Sequence, residues 1–451
     1  MTPRVSESQT NSLQFGVVLL ACLLQPGGGA IAPSRGTAIW HGAAAQGEQS
    51  TAAIQTAFRN HCDYFASEMR RRLAKDNDGN SDTYVLYDVQ MHMQNAAIYA
   101  DERDDRKMLT VLLDLCMIPF ERQFLSKGKW LNNRYGLVGV EVDLCIAQYF
   151  SLMTRVLSAC QRHRISMDFS KREIAIVVDH IDHWIAVPVN RNRVDDRHLF
   201  FVQSILQFSD YLKNAGESTV LPEGWRRYVQ DYLAKSIEPK WEVVPHTVGG
   251  KRVNCWMLDR TGWVDHPDNR FAGYGREITR SSSDTDPKAM FRADGTVKQP
   301  PKKLPKVATD VSHARRFNWF FETVQRFGRP FDVTIGDAAL QGWADNLAWR
   351  VCRGTLDNPH FTVFSDGVDG WYRVGYAGRK NFGYTLGDMD LHFVASSYGM
   401  FGVYNPRIRQ WIRAWAAKHQ SALDADHGGY ALDYQTSLAI DLRQPLAGMD
   451  K

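Results

Sequence analysis

The stretch from Leu137 to Cys160 constrains this chain most, because it is apolar on nearly every side of a helix. Its polar residues Glu141, Gln148, Ser151, Arg155 and Ser158 recur at spacings of seven, three, four and three. That pattern leaves one narrow polar stripe, the signature of a helix buried on most sides. A helix of this kind needs several helical neighbours. Helix-period stretches also begin near Thr51, Tyr84, Asp105, Ser170, His198 and Pro222. Turn signals separate them at Asp76-Asn77-Asp78-Gly79, Ser126-Lys127-Gly128, Asn214-Ala215-Gly216 and Leu221-Pro222. Paired helices with short connections predict an array of αα-hairpins, which either closes into a ring or stays an open solenoid. No composition break divides the array, so residues 51–451 read as one domain.

Between Glu238 and Pro305 the helical period disappears. Val243 to Trp256 has the form of a short hairpin around Gly249-Gly250, and the polar stretch Ser281 to Lys306 reads as a surface loop. Helices resume at Asp310, with further ones expected over 336–352, 388–401 and 406–419. The glycine- and aromatic-rich stretch from Phe361 to Thr385 reads as loops or short strands. The 238–305 segment and the 361–385 loop are expected on one face.

Ahead of the first helix, Leu13 to Leu24 is an apolar run too short to span a bilayer, followed by Ala30-Ile31-Ala32. That order matches a secretory leader over residues 1–32, then a flexible 33–50 segment, and predicts a secreted or periplasmic protein. Leu20-Ala21-Cys22 offers a weaker lipoprotein alternative. No later segment has the length and apolarity of a membrane helix. Of the seven cysteines, none forms a C-x-x-C pair, and most sit in apolar helical stretches, where a thiol is a small core residue.

Composition narrows function only a little. A charged fraction of 23% excludes a disordered chain, and a net charge of +4 is too weak to argue for nucleic acid but suits an anionic ligand. No P-loop, H-E-x-x-H, G-x-S-x-G or complete G-x-G-x-x-G is present. Asp179-His180 and Asp182-His183 lie on adjacent helical turns and read as a solvated face, so no metal site and no cofactor is expected.

The most informative segment is Asp310-Val311-Ser312-His313-Ala314-Arg315-Arg316. Asp310 or Ser312 is placed to cap a helix. Helical spacing aligns His313 with Phe317, Phe320 and Val324, and Arg316 with Phe320, while Arg315, Asn318, Glu322 and Arg326 fall on the opposite, polar side. A histidine and an arginine therefore point inward.

Asn254-Cys255-Trp256, followed by Asp310-Val311-Ser312-His313, resembles the W-x-x…D-x-S-H arrangement of (α/α)-toroid carbohydrate-active proteins. Within that class it is most similar to uronate-specific polysaccharide lyases of the glucuronan and alginate lyase type. The helical rhythm over residues 84–420 agrees, although the asparagine–histidine pair on one helix that marks some alginate lyases is missing. The resemblance implies a predominantly all-α toroid, acting on an anionic polysaccharide by β-elimination. That chemistry needs the uronate carboxylate neutralised, the C5 proton removed and the leaving oxygen protonated. Asn254 and His313 are then expected around the carboxylate, Arg316 or Arg373 to supply positive charge, and Tyr376 or Tyr384 to handle the proton. Asn132, Tyr135, Trp256, Trp371 and Arg379 are expected sugar contacts. A glycoside hydrolase needs two carboxylates across the scissile bond, and no pair among Glu141, Asp310, Asp388 and Asp390 stands out. A non-catalytic glycan-binding protein is the third reading.

Overall fold

The computed structural model describes residues 43–74, 82–125, 128–133, 138–167, 169–189, 194–217, 221–264, 304–370, 384–425 and 429–442. The expected leader with its cleavage region and most of the expected 281–306 loop lie outside the described residues. The structure is predominantly helical. In chain order come α1 (Ala43–Ala74), α2 (Tyr84–Glu102), α3 (Arg106–Pro119), α4 (Asp143–Arg162), α5 (Lys171–Ile185), α6 (Asp196–Ala215) and α7 (Glu223–Tyr232). A hairpin follows, β1 (Trp241–Val248) and β2 (Lys251–Leu258), then α8 (Val311–Phe327) and α9 (Asp337–Asn346). A second short hairpin, β3 (Cys352–Thr355) and β4 (Asn358–Phe361), precedes α10 (Leu386–Val394), α11 (Pro406–Lys418), α12 (Gln420–Asp424) and α13 (Gly429–Ala439). The first helix starts at Ala43, earlier than the sequence pattern indicated.

Local chemistry explains most of the boundaries. Asp105, Asp195 and Asp310 accept backbone N–H groups at the starts of α3, α6 and α8. Ser170 with Glu173 and Thr385 with Asp388 form reciprocal capping boxes at α5 and α10. Gly216 ends α6 in the left-handed region at φ 72°, where a side chain would be strained. The β1–β2 hairpin turns at Gly249-Gly250, with Val243 opposite Trp256, as the sequence indicated.

Contacts between elements follow chain order in steps of two. Helix α2 packs on α4, α4 on α6, and α6 on α8. Helix α8 packs on α10 and on the 3-10 segment Ser397–Val403, which in turn packs on α13, and α13 packs on α2. The remaining helices flank this set: α3 lies on α1 and α4, α5 on α6 and α7, and α11 on β4. Among the described residues no helix is long and apolar enough to cross a membrane. Cys62, Cys116, Cys145, Cys160, Cys255 and Cys352 are buried free thiols.

Helix α4 is buried from Cys145 to Cys160, polar stripe included. The stripe faces other polar stripes, so it is not a solvent seam. Gln148 donates to Gln90 at 3.0 Å, Thr154 to Gln207 at 3.0 Å, and Gln207 to Thr323 at 3.3 Å. The side of α8 carrying Arg315, Asn318, Glu322 and Arg326 is likewise buried. This corrects the expectation of one inward and one outer face: both faces of α8 are internal.

The Asp179/His180 and Asp182/His183 motif divides. Asp179, Asp182 and His183 are exposed, whereas the His180 ring stacks on Phe150 at 3.9 Å with its Nε2 buried. His180 is therefore not part of a solvated face, and among the described residues no group of three or more His, Cys, Asp or Glu is placed to hold a metal. Burial, and then the neighbouring His183, push its pKa down from 6.5 to about 3. Protonation thus favours the unfolded chain, and stability is lost as pH falls below 6.5. Between pH 7 and pH 5 the loss from this residue is up to about 2 kcal/mol. Urea unfolding of His180→Gln at both pH values is expected to show that much less acid sensitivity than the parent; an unchanged pH difference would refute the assignment.

Candidate active site

The inner helices run in one direction, which two sets of contacts establish. At one end, the starts of α2, α6, α8 and α13 meet: Arg316 of α8 reaches Asp196 of α6 and Tyr87 of α2, and Arg315 faces Tyr430 and Asp433 of α13. Toward the other end, Arg155 of α4 contacts Asp101 of α2 and Glu322 of α8, and Arg326 of α8 contacts Glu102 of α2. The first end holds His313 and Arg316.

His313 is the third residue of α8, and the capping residue Asp310 holds it. Asp310 is fully buried and accepts from the backbone N–H groups of Ser312 and His313 and from the Ser312 hydroxyl. Its carboxylate also lies 2.9 Å from His313 Nδ1. A carboxylate that accepts from these donors places the Nδ1 proton on histidine. The His313 side chain retains 15% exposure, and Trp263 stands edge-on to its ring at 5.1 Å. Loop residues brace this helix start: Val311 N–H donates to the Val363 carbonyl, and Asp310 bridges to Phe364. The segments after β2 and after β4 thus both reach the start of α8.

Beside it, Arg316 pairs with Asp196 and donates to the Tyr87 hydroxyl at 2.8 Å. A second carboxylate–imidazole couple lies between α2 and α13, where His92 Nδ1 is 3.1 Å from Asp433. Ring contacts continue outward from it: Tyr430 lies 5.8 Å from His92, His392 6.1 Å from Tyr430, and Tyr384 5.9 Å from His392.

The structure places His313 and Arg316 on the first two turns of α8, whereas Tyr384 lies beside His392, just before α10. Tyr135, Trp371, Arg373, Tyr376 and Arg379 lie outside the described residues. Asn132 is fully buried, and its amide oxygen accepts from the backbone N–H and hydroxyl of Thr83, anchoring the start of α2. Trp256 packs on Trp241, and a Cβ at Gly342 would sit 2.0 Å from its ring, so it fills the seam between β2 and α9. The tryptophan beside His313 is Trp263. Asn254 is exposed on β2 opposite Pro245.

Sequence reasoning did not single out Tyr87, His92, Arg315, Tyr430 or Asp433. Only the adjacent Arg315-Arg316 pair at a helix start carried a readable signal. Comparison of the chain with family models, with curated proteins and with solved structures finds no match.

Proposed function

We propose that this chain is a polysaccharide lyase that cleaves an anionic, uronate-containing polysaccharide by β-elimination on an (α/α)-toroid scaffold. The observation that carries this reading is His313, held through Nδ1 by buried Asp310 and still partly exposed, next to the Arg316–Tyr87 pair. The run of contacts from α2 through α4, α6, α8, the 3-10 segment Ser397–Val403 and α13 back to α2 supports a closed ring of inner elements. The leader read in residues 1–32 supports export to the periplasm or the medium.

In the reaction, the C5–H electrons form the C4–C5 double bond as the C4–O bond breaks. His313 Nε2 takes the C5 proton, and a tyrosine hydroxyl, Tyr87 or Tyr384, protonates the leaving oxygen. Elimination is favoured over hydrolysis by the state of the carboxylates. Asp310 is held by His313, Asp433 by His92, and Asp196 by Arg316, so none of the three is a free partner in an acid–base carboxylate pair.

A panel of glucuronate, mannuronate and guluronate polymers is the direct test. Elimination produces one ultraviolet-absorbing conjugated double bond for each new reducing end. Reducing ends without that absorbance would replace this reading with hydrolysis, and binding without either signal would reduce it to glycan recognition.

A further inference from the structure

Four arginines in the helical core have a carboxylate in contact. Arg155 meets Glu322 and Asp101, Arg162 meets Asp101 and Asp210, Arg316 meets Asp196, and Arg326 meets Glu102 and Glu322. Arg315 differs. It is 6% exposed, and among the described residues it makes no ion pair. One hydrogen bond, at 3.4 Å to the Ser396 hydroxyl, and a position 5.8 Å over the Trp319 ring are its polar contacts, while its Nε is buried without an acceptor.

The one acid among the groups that face it, Asp433, acts on it without an ion-pair contact. Tyr87, Asp433, Arg316 and Tyr430 surround it. Asp433 is held by His92, and Arg316 adds a like charge that Asp196 already neutralises. A buried guanidinium without a counter-ion is costly unless a ligand provides one. Its planar fork matches the two oxygens of a carboxylate, and Tyr87 and Tyr430 stand near it. Access is open in part, because Tyr87, His92 and His392 at this end are only half-buried.

We infer that Arg315 is the anion-binding residue of this site and selects acidic over neutral sugars by holding a carboxylate between the starts of α2, α8 and α13. That the carboxylate belongs to a uronate rests on the eliminative reading above; the anion site itself does not. A sulfate ester shares the charge but not the planar two-oxygen head, so it is one arm of the test.

Calorimetric titration of the full chain with glucuronate, its methyl ester, glucose and glucose 6-sulfate decides the matter. The expected result is glucuronate binding about tenfold or more tighter than its methyl ester, which lacks the charge and the two equivalent oxygens. Arg315→Gln is expected to bring the two affinities together, and Arg315→Lys, which keeps charge but loses the fork, to recover only part of the preference. Equal binding of acid and ester to the parent protein, no binding of either, or a preference surviving in Arg315→Gln would each overturn the inference. The acid–ester comparison needs no variant, so a poorly folded Arg315→Gln does not block it. Tighter binding of the sulfate than of glucuronate would overturn the carboxylate assignment. Glucuronate binding without unsaturated product from any polymer would uphold the anion site and remove the lyase reading.

Discussion

Asp310→Asn is expected to lower turnover by roughly 10² to 10⁴-fold while leaving the fold nearly as stable as the parent. The two effects separate because Asp310 does two jobs. As the cap of α8 it accepts from the Ser312 and His313 N–H groups, and asparagine caps helices about as well as aspartate. As the partner of His313 Nδ1 it fixes the tautomer and stabilises the charged imidazolium, and an amide does neither reliably. His313→Ala removes the base itself and is expected to match that loss. Thermal melting and steady-state kinetics on both variants check this. If Asp310→Asn retains turnover within about threefold of the parent, the Asp310–His313 couple has no part in the chemistry.

How much of this was readable beforehand depended on whether the signal was local. Helix starts at Asp105, Ser170 and Asp310 were legible because a cap and an apolar period coincide there. One helix over 388–401 was expected, whereas the chain breaks after Val394 into a 3-10 segment. The reason lies in tertiary packing: Gly399 lies against Ser437 and Gly402 against Arg409, at distances a Cβ would not permit. Helix α13 gave no clear signal, because its polar residues Asp433, Thr436 and Ser437 face the buried interior rather than water. The periodicity of α4 and α8 was legible, but the side of α8 that carries Arg315, Asn318, Glu322 and Arg326 is polar and buried rather than outer. The site suffered most. His92 and Asp433 are 341 residues apart in the chain, and helical spacing alone does not tell whether Arg315 or Arg316 meets the acid from α6.

Arg155→Met is expected to destabilise the protein by about 3–5 kcal/mol. Arg155 is fully buried at the far end of the inner helices from His313. Its guanidinium lies 2.9 Å from Glu322 and 3.0 Å from Asp101, both fully buried themselves. Methionine fills similar space but leaves those carboxylates short of one cation. Asp101 keeps Arg162 at 2.6 Å and His163 at 3.1 Å, which hold its pKa down, so the burden falls on Glu322. Burial already raises the Glu322 pKa, and Arg155 is the main opposing influence. Without it the folded state takes up a proton more readily than the unfolded chain does, so the deficit relative to the parent should shrink as pH falls. Arg155→Met combined with Glu322→Gln should recover part of the loss, because the uncompensated charge is then gone. The exposed pair Arg71–Glu68 supplies the contrast: Arg71→Met is expected to change stability by less than about 1 kcal/mol. Urea midpoints at a constant slope measure all four. A cost for Arg155→Met no larger than that for Arg71→Met, or a double variant worse than the single one, would show that the cluster does not act as a charge-balanced unit.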